Sequence, residues 1–132
     1  MKKLNIAIIG LGNIGSYLFK YLNDNKRILT EKNNCIPSIS FVSAKNKKRK
    51  RNIKIKKAQW LNNYLDATTH KDVDLIIELI GGAEGPAKKL VLNAFSMKKN
   101  PSLFNSEAIV LVSILINFSL KISLFFILLK IF

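Results

Sequence analysis

The sequence predicts an α/β domain with a doubly wound parallel sheet. Apolar strand-like runs alternate with amphipathic helical segments in the order strand, helix, strand, basic insertion, strand, helix over residues 1–99. A glycine-rich turn joins the first strand to the first helix. The chain has 132 residues, which is enough for one core but for only about half of such a sheet. We therefore expect an incomplete sheet.

The first predicted strand, residues 4–9, runs directly into a G-x-G-x-x-G turn at Gly10, Gly12 and Gly15. In a nucleotide-binding turn the first glycine permits a sharp change of direction, the second leaves room for a pyrophosphate, and the third lets the next helix pack closely. The predicted helix, residues 14–23, directs its N-terminal N–H groups at the phosphates. A purely structural glycine turn is the alternative. The strand and helix flanks favour a Rossmann-like dinucleotide site.

The second strand is predicted at residues 38–43, with Ile39 and Phe41 on one face. The residues at and after its end are Ser43, Ala44 and Lys45. Sites for NAD place an acid near this strand end, whereas NADP sites place a cation. The acid is missing here and lysines follow, so we predict NADP as the cofactor, with NAD as the alternative.

Much of the net charge of +14 lies in one segment. Residues 45–57, the basic segment, contain nine Lys and Arg residues and no acid. Such a run can bind nucleic acid or an anionic membrane. No recognition helix or interleaved aromatic residues accompany it. We therefore interpret the basic segment as a solvated insertion in an enzyme, and a membrane-tethered basic protein is the alternative.

A third buried strand is predicted at residues 75–80, and a helix at residues 86–98. Gly81 and Gly82 lie between them. Because ligands bind beyond the carboxyl ends of parallel strands, these glycines are predicted to let the backbone approach the cofactor. A tight turn without a ligand is the alternative. The buried face of the helix is predicted at four apolar positions, Leu90, Val91, Ala94 and Phe95.

The remaining residues with distinctive chemistry predict no second site. Cys35 and His70 are the single cysteine and the single histidine, so we predict a bystander thiol, a surface histidine and no metal site. Trp60 is predicted to contribute to the core at a short strand end. A short helix is predicted to follow at residues 63–69.

Four stretches in order resemble the cofactor domain of homoserine dehydrogenases. Residues 73–87 read V-D-L-I-I-E-L-I-G-G-A-E-G-P-A, and the family has a strand ending V-E-L-I-G-G before a Gly-Pro-Ala helix start. The glycine turn is similar to the family's G-x-G-T-V-G, with Asn13 in place of threonine. The end of the second strand resembles the family's V-S-A-R, with Lys45 in place of arginine, and Trp60 falls where a tryptophan is often found. The resemblance extends over residues 4–99.

The resemblance implies NAD(P)H-dependent interconversion of L-aspartate 4-semialdehyde and L-homoserine, on the route to threonine, methionine and isoleucine. A Rossmann-like module that binds a nucleotide without catalysis is the alternative. It also implies a homodimer at full length. The apolar run at residues 4–9 is too short for a signal peptide, so we expect a cytoplasmic protein. The implied ligands of the pyrophosphate are Gly10, Gly12, Asn13, Ile14 and Gly15. Ala44 and Lys45 would bind the adenosine end, and Gly81 and Gly82 the nicotinamide ribose side. The family's proton-handling lysine lies in a later substrate domain, so we predict no catalytic residue in this chain.

After residue 99 the sequence departs from the family, which continues with a strand H-V-x-T-A-N-K. Here Asn105 aligns with the asparagine, and Ser106 stands in place of the lysine. Residues 108–132 are almost entirely apolar, which allows a membrane segment, but Lys121 near the centre is costly in a bilayer. We favour a frameshift near residues 98–100 over an anchor. We expect residues 100–132 to form a separate, helical tail.

Overall fold

The computed structural model describes residues 1–56, 59–82, 84–98 and 110–113. One parallel sheet has the strand order β2-β1-β3-β4. The strands are β1 (Lys2–Ile9), β2 (Cys35–Ser43), β3 (Leu75–Glu78) and β4 (Val110–Ser113). The helices are α1 (Asn13–Asp24), α2 (Lys26–Asn33), a short 3₁₀ helix (Tyr64–Thr68) and α3 (Pro86–Lys98). This α/β, Rossmann-like arrangement confirms the predicted fold class.

Two apolar clusters hold the helices against the sheet. Ile6 and Ile8 of β1 belong to the cluster that contains α1, whereas Ala7 and Ile9 belong to the cluster that contains Leu90 of α3. Because successive side chains of a strand point to opposite faces, the clusters lie on opposite sides of the sheet. The sheet is therefore covered on both faces, as parallel sheets generally are.

Strand β2 begins earlier than predicted, and it lies at the edge of the described sheet. It begins at Cys35 and passes through Pro37, which is in register with Leu4 of β1. Proline has no N–H to donate and is tolerated on an edge strand. The predicted strand began at residue 38, directly after Pro37, although an edge strand can include a proline.

Ile39 and Phe41 lie on opposite faces of the sheet, so the prediction that they share a face is wrong. Ile6 is in register with Ile39, but the next residue of β1, Ala7, is in register with Phe41. Ser40 is thus the extra residue of a β-bulge. Ile39 packs in the cluster on the α1 side, and Phe41 packs against the other cluster. A simple alternation pattern does not detect the extra residue.

The buried face of α3 differs in part from the predicted one. Ala87, Leu90 and Ala94 are buried, whereas Phe95 is 57% exposed. At 100° per residue Phe95 lies about 140° around the helix from Leu90, which is too far to reach the sheet. The prediction is therefore right for Leu90 and Ala94 and wrong for Phe95, whereas Val91 is half-buried.

The predicted tail contributes four described residues. Val110–Ser113 forms β4, parallel to β3, so the expectation of a helix is wrong for these residues. The segment V-L-V-S contains two β-branched residues, which favour a strand. The rest of the tail, with the frameshift and anchor interpretations, lies outside the described residues. No helix in the described part of the chain has the length and hydropathy required to cross a membrane.

We expect Leu90→Ala to lower the free energy of unfolding by about 2–5 kcal/mol, because it removes a fully buried side chain and leaves a cavity. Leu92→Ala is the matched control, since Leu92 lies on the same helix and is 57% exposed. We expect the control to change the free energy of unfolding by less than about 0.5 kcal/mol. Urea denaturation followed by circular dichroism measures both, and equal losses would contradict the assigned face.

Candidate functional site

The carboxyl ends of β2, β1 and β3 are tied together by main-chain hydrogen bonds. Gly10 N donates to Ser43 O at 2.9 Å, and Leu79 N donates to Ile9 O at 2.7 Å. These bonds bring the residues that follow three parallel strands to one edge of the sheet. Ligands of open α/β sheets bind at this edge.

Gly10 and Gly15 make contacts too close for any side chain. Gly10 has a φ of 109°, and a Cβ on it would lie 2.5 Å from the carbonyl carbon of Leu79. A Cβ on Gly15 would lie 2.1 Å from Gly10 O. Gly15 therefore lets α1 begin directly against the turn that leaves β1, so the close approach is to the turn rather than to the sheet.

Gly12 faces open space. Among the described residues, no atom other than those of its chain neighbours lies within 4 Å of the position a Cβ would take. Gly12 is also the N-cap of α1, which has no side-chain cap and no acid in its first turn. The first N–H groups of a helix have no partner within it. The turn therefore fits a pyrophosphate, which would accept from these groups and occupy the open space.

Glu78 is a buried acid at the end of β3, with 1% exposure. Its carboxylate accepts a hydrogen bond from Ile80 N, two residues along the chain. This contact holds the start of the loop that follows β3. Glu78 lies within the stretch that resembles the family, but no role was predicted for it from the sequence.

A cleft of about 1070 Å³ opens at this edge of the sheet. Five of the nine predicted cofactor residues line it: Gly10, Gly12, Ala44, Lys45 and Gly81. The other four do not. Asn13, Ile14 and Gly15 form the first turn of α1, and Gly82 is exposed in the loop after β3 with a φ of 94°. All nine residues follow the carboxyl ends of β1, β2 or β3.

The basic segment also contributes to the cleft, which was not predicted from the sequence beyond Lys45. Arg49 Nη2 donates to Asn13 Oδ1 at 3.2 Å, and Arg51 Nε donates to Leu11 O at 3.0 Å. The other basic side chains from Lys45 to Lys50 are exposed, as expected of a solvated insertion. The interpretation is incomplete because the segment folds back onto the glycine turn. The only feature of the sequence that pointed to this contribution was the position of the basic segment directly after β2.

The cleft has a positive electrostatic environment. None of the described residues that line it is acidic, and four are basic: Lys45, Lys47, Arg49 and Arg51. Burial lowers the pKa of the Arg51 guanidinium, and the charge of Arg49 lowers that pKa further. Arginine nevertheless stays protonated at neutral pH. The four basic side chains of the described lining therefore favour an anion over a cation in this cleft.

His70 takes no part in the cleft. Its ring packs on Phe41, with the ring centres 4.2 Å apart, and its Nδ1 lies 3.9 Å from a carboxylate oxygen of Asp72. Its side chain is 34% exposed. In the described part of the chain, no group of three or more His, Cys, Asp or Glu side chains could hold a metal ion.

The fold and the cleft together define a Rossmann-like α/β domain with an open cleft at the carboxyl ends of its strands. The curated relatives of the chain are homoserine dehydrogenases. The enzyme of Bacillus subtilis is 30% identical over 107 residues, 81% of this chain and 24% of the relative. That of Neisseria gonorrhoeae is 31% identical over 100 residues, 76% of this chain and 22% of the relative. No family model matches the chain.

Solved structures of homoserine dehydrogenases share the fold. The Staphylococcus aureus enzyme aligns with a TM-score of 0.68 at 24% identity, over 98% of this chain and 30% of that one. The Thiobacillus denitrificans enzyme aligns with a TM-score of 0.64 at 21% identity, over 84% of this chain and 23% of that one. This chain is thus a partial-length homologue of homoserine dehydrogenases, consistent with an N-terminal domain. It spans about a quarter of the length of the curated relatives it matches.

We expect Gly15→Ala to lower the free energy of unfolding by about 1–3 kcal/mol, because the added methyl group overlaps Gly10 O. The direction is informative, since alanine in an unconstrained helix is favoured over glycine by about 1 kcal/mol. Gly12→Ala is the matched control and meets open space. Urea denaturation compares the two, and a stabilised Gly15→Ala variant would show that α1 does not approach the turn this closely.

Proposed function

We propose that this chain forms the cofactor-binding part of a homoserine dehydrogenase, and that its cleft binds NADP(H). The observation that carries the proposal is the open space at Gly12, at the uncapped start of α1, beside a cleft lined by basic side chains. The names of the relatives support the reaction, the interconversion of L-aspartate 4-semialdehyde and L-homoserine.

The main chain of the glycine turn would bind the pyrophosphate. The N–H groups at the start of α1 would donate to it from Asn13, Ile14 and Gly15, and the positive end of the helix dipole would stabilise its charge. Gly10 and Gly12 would let the main chain come close to the phosphates. This part of the site depends on backbone geometry and would bind the pyrophosphate whatever base the nucleotide carries.

Ala44 and Lys45 would bind the adenosine end. Both line the cleft just after β2, where a dinucleotide places its ribose. An NAD-specific site uses an acid there to accept from the ribose hydroxyl, and the described lining of this cleft has none. A 2′-phosphate would instead form charge-assisted hydrogen bonds with Lys45. This chemistry favours NADP over NAD.

Gly81 and Gly82 would approach the nicotinamide ribose from the loop after β3. The bound nicotinamide supplies the hydride chemistry, and this part of the protein binds and orients it. In the family a lysine of the substrate domain handles the proton, so we assign no catalytic residue here. We further propose that the intact enzyme is a cytoplasmic homodimer.

We expect Gly12→Ala to raise the Kd for NADPH by about tenfold or more, because its methyl group occupies the space that the pyrophosphate would fill. Its unfolding should match the wild type. Titration followed by NADPH fluorescence measures the affinity. Ser96→Ala, an exposed change on α3, is the control and should bind normally. Wild-type affinity in Gly12→Ala would exclude the proposed position of the pyrophosphate.

We expect Lys45→Gln to raise the Kd for NADPH by about tenfold, because one charge-assisted hydrogen bond contributes roughly 1.5–3 kcal/mol. The Kd for NADH, which has no 2′-phosphate, should stay within about twofold of the wild type. Lys26→Gln makes the same change of charge at an exposed position on α2 and should alter neither Kd. If Lys45→Gln and Lys26→Gln behave alike, Lys45 does not recognise the 2′-phosphate.

A further inference from the structure

Arg51 differs from the other basic residues near it. The basic side chains from Lys45 to Lys50 are exposed, whereas Arg51 is half-buried. Its guanidinium Nε donates to Leu11 O at 3.0 Å, in the glycine turn. Arg51 is therefore linked directly to a residue 40 positions away in sequence.

The same guanidinium also holds its own loop. Arg51 Nη2 donates to Asn46 O at 2.8 Å, and Nη1 donates to Arg49 O at 2.9 Å and to Lys47 O at 3.4 Å. The hydrogen bonds that the guanidinium makes within the described residues all go to main-chain carbonyls. One planar group thus joins residues 46–49 to the glycine turn.

Trp60 provides a flat surface for this arrangement. The Arg51 Cζ lies 5.6 Å from the centre of the indole ring, and the Lys47 Nζ lies 6.0 Å from it. Trp60 is itself held at the edge of the sheet, where it forms a β-bridge with Val42. The main chain is also bonded there, since Leu61 N donates to Val42 O at 3.0 Å. The sheet, through Trp60, therefore helps to position the cations of the loop, as the glycine turn also does.

We propose that Arg51 is a positioning residue for cofactor selection. It holds the first part of the basic segment over the cleft, so that Lys45, Lys47 and Arg49 present their charges to the 2′-phosphate at the adenosine end of the dinucleotide. The inference rests on the proposed function, because it assumes that the cleft binds a dinucleotide. Arg51 itself remains bonded to carbonyls and acts on the cofactor through the loop.

Lysine cannot replace arginine in this role. The guanidinium offers five N–H donors in a rigid plane, which reach carbonyls in different directions while one face lies on an aromatic ring. An ammonium group has the same charge but is a compact point donor on a flexible chain. Arg51→Lys therefore keeps the positive charge and removes the rigid, planar set of N–H donors.

The experiment measures the Kd values for NADPH and NADH with the full chain, in the wild type and in Arg51→Lys. We expect Arg51→Lys to raise the Kd for NADPH by about tenfold and to leave the Kd for NADH within about twofold. Arg27→Lys is the matched control, since the Arg27 side chain is 88% exposed on α2. We expect it to change neither value.

Trp60 provides a second readout because it is the single tryptophan of the chain. In Arg51→Lys the guanidinium leaves the ring and water takes its place, so we expect the emission of Trp60 to shift to longer wavelength. Arg27→Lys should leave the emission unchanged. A residue that merely stabilised the fold would not change the ratio of the two Kd values.

Two outcomes contradict the inference about Arg51 without contradicting the proposed function. If Arg51→Lys keeps the wild-type ratio of Kd values, Arg51 does not set the preference. If both Kd values rise equally, Arg51 supports only the glycine turn. By contrast, a folded wild-type chain that binds neither dinucleotide contradicts the proposed function and the inference with it.

Trp60→Leu tests the inference if Arg51→Lys does not fold. It removes the surface on which the guanidinium lies and none of the carbonyls that accept hydrogen bonds from Arg51. We expect a loss of preference for NADPH of about threefold, measured by nicotinamide fluorescence. An unchanged preference would contradict the role assigned to the loop.

Discussion

The contact between Gly10 and the main chain of Leu79 is the constraint on which the site depends. Because Gly10 has no side chain, β1 can turn against the end of β3, where a Cβ would lie 2.5 Å from the carbonyl carbon. Gly15 then lets α1 begin directly against that turn. A larger residue at either position would separate the helix from the strand ends. The start of α1, and the N–H groups that point from it, would move away from the cleft.

The site that we propose combines two kinds of recognition that differ in their physical basis. The glycine turn offers main-chain N–H groups whose positions are set by the sheet. The basic segment adds side-chain charges, which attract an anion over a longer range and are weakened by salt. Arg51 joins the two, because its guanidinium bonds to carbonyls of both. A homologue with the same glycine turn but a different segment after β2 would keep the first kind of recognition and change the second.

The sequence was a good guide to the elements of this fold because its strands are apolar and its turns are rich in glycine. Periodicity located β1, β3, α1 and α3 to within a few residues. It failed at Ser40, since a bulge adds one residue to the count, and at Phe95, since only the position of the sheet decides which side of α3 is covered. The four described residues of the tail pair with β3, which lies more than 30 residues earlier in the sequence, so local periodicity could not reveal the pairing.

For this protein the sequence alone determined the class of fold, the glycine turn and the family resemblance. These follow from local patterns, because strand and helix periods and the need for glycine at a sharp turn are properties of short segments. Only the tertiary structure decided that the basic segment folds back over the cleft and that Arg51 bonds it to the glycine turn. That path depends on hydrogen bonds between residues distant in sequence, such as Arg51 and Leu11, and on a tryptophan at the edge of the sheet. Local pattern carries no information about which of several arginines makes such contacts.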